Sequence, residues 1–431
     1  MHTLLILNPG HFHAALVLRE RHPSLCDDIF VYSEPGPDLD RFLEIVESFN
    51  NRRVNPTCWK LNVYRGNDCL EKLIDEKKGD IAVLAGRNNS KMENIDTLNR
   101  AGLAILADKP WVTTQAALPF LRSTMASDRP LAVDIMTERY EIATLLQKKF
   151  LADENVFGRI RIEADAGPSI FKECVHHLYK IVNAKPLIRP IWYFDIDVQG
   201  EGIVDTTIHL VDMTQWMLFP GDPIEYDKDI ELIDARRWAT AVPLDKFAKI
   251  TGTHQFPHTV HEYVKNDILN YFCNGELIYH IRGIPVHLRE IWHLDEPPGG
   301  GDTHRSLVKG TRSDLMIRQL PEQGFKPELL IVPGEENASH LEKAVQDCLQ
   351  RWSNRYPGLS VTPEKNALLI KIPDNLRTTH EQHFCRVRDA FLEHLDTGNE
   401  PVEHRAGTIA KYTLLAEARE KALVSPFEML R

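Results

Sequence analysis

No run of apolar residues reaches the roughly 18 needed to cross a bilayer as a helix, so no membrane span is expected. Basic excess is missing too. Lys and Arg number 51 against 62 Asp and Glu, a formal charge of −11. With no basic stripe along the chain, nucleic acid is not an expected partner. Cysteine is sparse: Cys26, Cys58, Cys69, Cys174, Cys273, Cys348 and Cys385 are scattered and form no C-x-x-C pair. A disulfide scaffold or a zinc site built on paired cysteines is therefore not expected, and reduced cytoplasmic thiols are the simple reading. A signal peptide is not expected, because the apolar stretch Leu4–Leu7 has no basic segment before it and ends at Asn8-Pro9-Gly10-His11. The chain also has no internal repeat, no low-complexity segment, and no H-E-x-x-H, G-x-S-x-G or Walker loop. His254, His258 and His261 are too disrupted by Pro257 to predict a metal site, so no metal is assigned.

What is present in the first third is an alternation of strands and helices. Strands are predicted at Thr3–Leu7, Ile29–Tyr32, Leu61–Tyr64, Ile81–Leu84, Ala104–Ala107 and Leu131–Ile135. Helices are predicted at His13–Arg21, Leu39–Phe49, Cys69–Lys77, Lys91–Ala101 and Gln115–Ser123. Such alternation implies right-handed βαβ units and a parallel sheet covered on both faces. After Tyr140 the texture changes. A helix at Glu141–Leu151 precedes strand-like pieces at Ile160–Ala164, Trp192–Val198, Ile230–Ala235, Ile268–Phe272, Glu276–Gly283 and Asp314–Gln319. Cys273-Asn274-Gly275 reads as a tight turn, and antiparallel pairing follows. The loop Glu296–Gly301 is either a linker or a cap over a site. Helices at Ala338–Asn354 and Glu381–Thr397, with strands at Leu359–Val361 and Ala367–Ile372, make either an insertion in the sheet domain or a small third lobe. Thr408–Leu423 reads as a final helix. The fold expected is α/β: an N-terminal Rossmann doubly wound parallel sheet over residues 1–140, then a C-terminal α+β domain with an open, mostly antiparallel sheet over residues 141–431.

Several polar residues stand where such a sheet binds ligands, at the carboxyl ends of its strands. Asn8-Pro9-Gly10-His11-Phe12-His13 occupies the place of a G-x-G-x-x-G phosphate loop. Only the middle glycine is kept, with Asn8 and His13 at the outer positions. Glu34, or Ser33 beside it, follows the second strand, where an acid accepts hydrogen bonds from a ribose and repels a 2′-phosphate. This favours NAD over NADP. Gly86 and Asn88 follow the fourth strand, and Asp108-Lys109-Pro110 the fifth.

Further on, Gly200-Glu201-Gly202-Ile203-Val204-Asp205-Thr206-Thr207-Ile208-His209-Leu210-Val211-Asp212 places acids and a histidine in strongly apolar sequence. As a helix it sets Asp205, His209 and Asp212 on one face, and a buried carboxylate needs a partner. Glycines 200 and 202 allow close approach to a ligand. His209 suits a general base, with an ordinary pKa near 6.5, and Lys109 suits a donor to a developing alkoxide. Asp205 orients the imidazole or binds a neighbouring hydroxyl, and Asp212 pairs structurally. His177, Tyr179 and Lys180 form a further polar cluster.

The two motifs together resemble the family of glucose–fructose oxidoreductase, inositol dehydrogenase and their rhizopine-catabolism relatives, in an oxidoreductase subgroup with a divergent carboxyl-terminal domain. Asp108-Lys109-Pro110 resembles that family's Glu-Lys-Pro. The run Gly200–Asp212 resembles its segment ending D-x-G-x-H-x-x-D, with Thr207 for the glycine. Residues 132–140 resemble the strand leading to an arginine, here Arg139. The family's Asn-x-x-His is absent, since Lys91 follows Asn88 at that spacing. The resemblance implies a nicotinamide cofactor held by Asn8, Gly10, His11, Phe12, Glu34, Gly86, Asn88, Lys109 and Arg139. It implies that Lys109, Asp205 and His209 meet at the nicotinamide, that His177, Tyr179 and Lys180 border the substrate, and that the protein is a homodimer or homotetramer. The expected chemistry is hydride exchange with a sugar, cyclitol or glycoside hydroxyl. Two other readings stay open: redox-neutral glycoside cleavage on tightly held NAD, and a non-catalytic sugar-binding or assembly protein.

Overall fold

The computed structural model describes residues 1–162, 167–182, 185–297, 299–334 and 338–424. Six short strands open the chain: β1 (Leu4–Leu7), β2 (Asp28–Ser33), β3 (Lys60–Arg65), β4 (Ile81–Leu84), β5 (Ala104–Asp108) and β6 (Ala132–Ile135). They pair in parallel in the order β3-β2-β1-β4-β5-β6. β1, β4 and β5 are buried along their whole length, as strands covered by helices on both faces must be. The order reverses between β1 and β4, which opens a crevice at their carboxyl ends. One connecting helix is shorter than expected. The stretch predicted at His13–Arg21 is helical only over His13–Leu16.

Among the described residues the second sheet has eleven strands, mostly antiparallel. At its centre Ile170–Tyr179 lies between Ile284–Asp295, which it pairs in parallel, and Thr303–Val308. Two sequence expectations fail here. Trp192–Val198 is helical rather than extended, as a 3-10 turn at Ile191–Phe194 followed by a helix at Ile196–Gln199 capped by Asp195. Cys273-Asn274-Gly275 is not a turn, because a single strand, Ile268–Ile281, passes through it. The Asn274 amide donates to Trp238 O and Thr240 Oγ1 across a bulge in the neighbouring strand, and its carbonyl accepts from Trp292 N at 2.7 Å. The hairpin turn is instead Arg282-Gly283, both at positive φ, as a two-residue hairpin requires. Of the strand expected at Ile160–Ala164, Ile160 makes an isolated bridge to Gly310, and Glu163 and Ala164 lie outside the described residues. So does Pro298 in the loop Glu296–Gly301.

The carboxyl-terminal segment is not a third lobe. Glu328–Pro333, Ala367–Lys371 and Ser360–Glu364 extend the second sheet. The helix His380–Thr397 then returns to the first sheet, where Phe384, Val387, Phe391 and Leu392 join the core of Leu4, Ile6 and Val31. No helix among the described residues is long and apolar enough to cross a membrane.

Candidate active site

The crevice at the ends of β1, β2 and β4 is a cleft of about 900 Å³, lined on one side by Asn8, Gly10, Glu34, Asp38, Gly86 and Arg87 and on the other by Arg189, Trp192 and Asp195. That is within the usual size of a small-molecule site. The two loops at its floor are pressed together. His11 N donates to Ala85 O at 3.0 Å. A Cβ on Gly10 would lie 3.3 Å from Gly86 Cα, and one on Gly86 only 2.6 Å from Asn8 O. Asn8 replaces the first glycine of the loop by adopting the left-handed conformation itself, at φ 42°, which asparagine tolerates better than most residues. Its side chain accepts from Glu34 N at 3.0 Å and so ties the loop to the end of β2. His11 and Phe12 line a smaller recess that shares Gly10 with the cleft. His13, at the third glycine position, pairs with Asp108 at 2.8 Å and packs on Phe384.

Lys109 follows β5. Its Nζ donates to the Asp205 carboxylate at 2.7 Å and to the Asp205 carbonyl at 2.9 Å. This joins the two halves of the molecule. The run that supplies Asp205 is two helices, Gly202–Asp205 and Thr207–Leu218, rather than one, with the break at Thr206. Asp205 therefore serves Lys109 and does not orient the imidazole. His209 Nδ1 is buried with no hydrogen-bond partner. Burial, and then the charge of Lys109, push the His209 pKa well below the ordinary histidine range. The ring is therefore neutral at pH 7.

Asp212 pairs with Arg139 through two 2.6 Å hydrogen bonds and with Lys411, which also reaches Asp134 at 2.7 Å. Arg139 thus sits on Asp212, away from the cleft lining. Gly202 faces protein rather than ligand, since a Cβ there would lie 1.8 Å from Cys273 O. Gly200, at φ +94°, packs on Val204 and Thr113. Asn88 is buried, and its amide donates to Gln199 O at 2.6 Å.

Three polar residues of the site escaped the sequence reading. Lys91 is buried between Asn88 Oδ1 and Asp108 O. Burial pushes its pKa down to about 8, and Lys109 adds to this against the opposing charge of Asp108. Asp302 gathers His176, His177 and Lys180. Tyr179 ends the same strand, opposite Asp295. Glu290 is buried on the inner face of Ile284–Asp295, and burial raises its pKa to about 7 against the charge of His176. The alternation Val286, Leu288, Glu290, Trp292 marks Glu290 as an acid at an inward position, a signal available in the sequence. Lys91 was marked only by its spacing from Asn88.

A family described as "Putative oxidoreductase C terminal domain" matches residues 146–423. Among solved structures the chain is similar to a putative oxidoreductase from Parabacteroides merdae, at 40% identity over 98% of this chain and 97% of that one, with a TM-score of 0.93. Its fold is also that of the 3-ketoreductase KijD10 from Actinomadura kijaniata in complex with NADP, at 14% identity over 98% and 99% of the two chains and a TM-score of 0.55. Biliverdin reductase from Synechocystis, solved with biliverdin and NADP+, matches at 10% identity over 97% and 98%, with a TM-score of 0.57. No curated protein matches the chain.

Proposed function

Because the chain belongs to the putative oxidoreductase C-terminal domain family, we propose that it transfers hydride between a nicotinamide dinucleotide and a hydroxyl-bearing carbon of a sugar, cyclitol or glycoside. The observation that carries this reading is the meeting of Lys109, from the parallel sheet, with the helical run of Asp205 and His209, from the second sheet's layer. Asn8, Gly10, Glu34 and Gly86 line the cleft and would hold the dinucleotide, with the Gly10–Gly86 approach leaving backbone free for its phosphates. Glu34 on that lining supports NAD over NADP. When bound, the nicotinamide supplies the hydride acceptor or donor. For oxidation, His209 takes the hydroxyl proton as a neutral imidazole. Lys109 donates to the oxygen as negative charge develops there, and Asp205 holds the ammonium in place as a positioning residue. His177, Tyr179 and Lys180 lie at the end of a strand of the second sheet and support a polar substrate. The free cysteines support a cytoplasmic protein. The half-exposed outer face of the second sheet supports pairing of two or four copies.

The test is mass spectrometry of nucleotide released from the purified protein, followed by NADH and NADPH production on a panel of sugars, cyclitols and glycosides. NAD release and NADH formation are expected. A folded protein that neither retains nor binds either nucleotide overturns the reading.

A further inference from the structure

The helix-facing side of the second sheet carries a cluster to which the proposed hydride transfer assigns no role. Cys174 and His176 lie two residues apart on Ile170–Tyr179, and so on one face. Glu290 stands directly opposite Cys174 on the neighbouring strand, and His304 stands opposite it on the other side. One ligand atom each from Cys174, His176 and Glu290 lie within 4.8 Å of one another. His176 Nε2 is 3.3 Å from Glu290 Oε1, and Cys174 Sγ is 3.0 Å from His304 Nδ1.

We propose that Cys174, His176 and Glu290, with His304 beside them, form a binding site for a divalent transition-metal ion of the zinc class. Thiolate, imidazole and carboxylate at roughly 2.0–2.3 Å from one ion stand apart by distances of this order in a tetrahedral site, and a donor set of one S, one N and one O selects zinc-class ions over magnesium or calcium. Two further observations point to a ligand. Glu290 is 1% exposed, and its carboxylate meets His176 Nε2 at 3.3 Å and the Thr206 side chain but makes no ion pair with a lysine or arginine among the described residues, so a bound cation would relieve the cost of burying it. The other nitrogen of His176 is 2.8 Å from Asp302, which is itself fixed by Lys180 and His177. A carboxylate behind the imidazole is the arrangement that orients metal-binding histidines. The one cation on the same face of that strand, Lys172, is turned away to Ser306 Oγ at 3.0 Å. The site adjoins Thr206, which bonds Trp292 and precedes Thr207 at the break between the two helices, so a bound ion would add positive charge at the end of the molecule that holds Lys109.

The competing state is a protonated His176 bridging Glu290 and Asp302 with no metal. The experiment treats the full chain with a chelator, adds back ZnCl2 or CoCl2, desalts, and measures retained metal by mass spectrometry together with the cobalt absorption spectrum. About one ion per chain and a thiolate-to-cobalt band are expected, both lost in Cys174→Ser and Glu290→Gln and kept in Cys58→Ser, whose thiol is exposed. A folded wild-type chain that retains no ion, or retention unchanged in both cluster variants, overturns the proposal. Where a variant fails to fold, the wild-type cobalt spectrum decides, since a spectrum without the thiolate band is incompatible with the site. None of these readouts depends on hydride transfer.

Discussion

At the scale of single residues, the site separates the group that meets charge from the groups that hold it. Lys109→Ala removes one donor to the developing alkoxide and is expected to lower kcat about 10²–10³-fold, and to lower the urea unfolding midpoint as well, because Asp205 is left buried without its partner. His209→Ala removes the base, with an expected loss of about 10²–10⁴-fold. The His209 pKa lies well below 6.5, so kcat/KM for oxidation should stay level as pH falls through 6.5 and drop only further into acid. A fall centred at or above 6.5 that His209→Ala abolishes would show the ring to be solvated instead. Lys91 makes a prediction about stability. A lysine held below its ordinary value costs stability while both states are protonated. The cost is relieved as pH rises from about 8, where the folded state releases the proton, towards 10.5, where the unfolded state does. The unfolding free energy of wild type minus Lys91→Met should therefore rise across that window and be flat below it.

At the scale of elements, close approach of backbone decides the geometry. Glu201 anchors the short helix Gly202–Asp205 through Arg237 and Arg419, and Gly202 presses that helix onto the carbonyl of Cys273. Gly202→Ala cannot be accommodated without shifting the helix. An overpacking cost of about 1–3 kcal/mol is expected, together with loss of activity as Asp205 leaves Lys109. Denaturant unfolding and steady-state rates check the two parts separately. Gly275 has the same role from the strand side, where a Cβ would lie 2.9 Å from Ile203 Cα. This is why Asn274-Gly275 misread as a turn. In sequence the pair has turn chemistry, but here the asparagine spans a bulge and the glycine admits a helix. Trp192–Val198 failed for a related reason, since its aromatic and β-branched residues pack as a helical turn into the core of Phe247 and Tyr271.

At the scale of the whole molecule, the helix His380–Thr397 binds the chain's end to its beginning. Arg388 is 1% exposed on its side chain and donates to Val17 O at 2.8 Å and Glu20 O at 2.5 Å, while Phe391 fills the parallel-sheet core. Phe391→Ala is expected to cost about 3–5 kcal/mol and to loosen both halves, so the drop in melting temperature should be accompanied by weaker nucleotide binding. Light scattering should find a dimer or tetramer, and a monomer at micromolar concentration would remove the role assigned to the open sheet face. The parallel sheet was legible from the chain alone, because fully buried strands alternating with helices leave a strong local pattern in β1, β4 and β5. Lys109, Asp205 and His209 could be picked out as candidates because each sits in a distinctive short motif. The pairing of Lys109 with Asp205, the use of Arg139 on Asp212, the return of residues 380–397 to the first sheet, and the gathering of Cys174, His176, Glu290 and His304 were not. These contacts join residues far apart in the chain, and strand register and helix packing, rather than local sequence, bring them within reach.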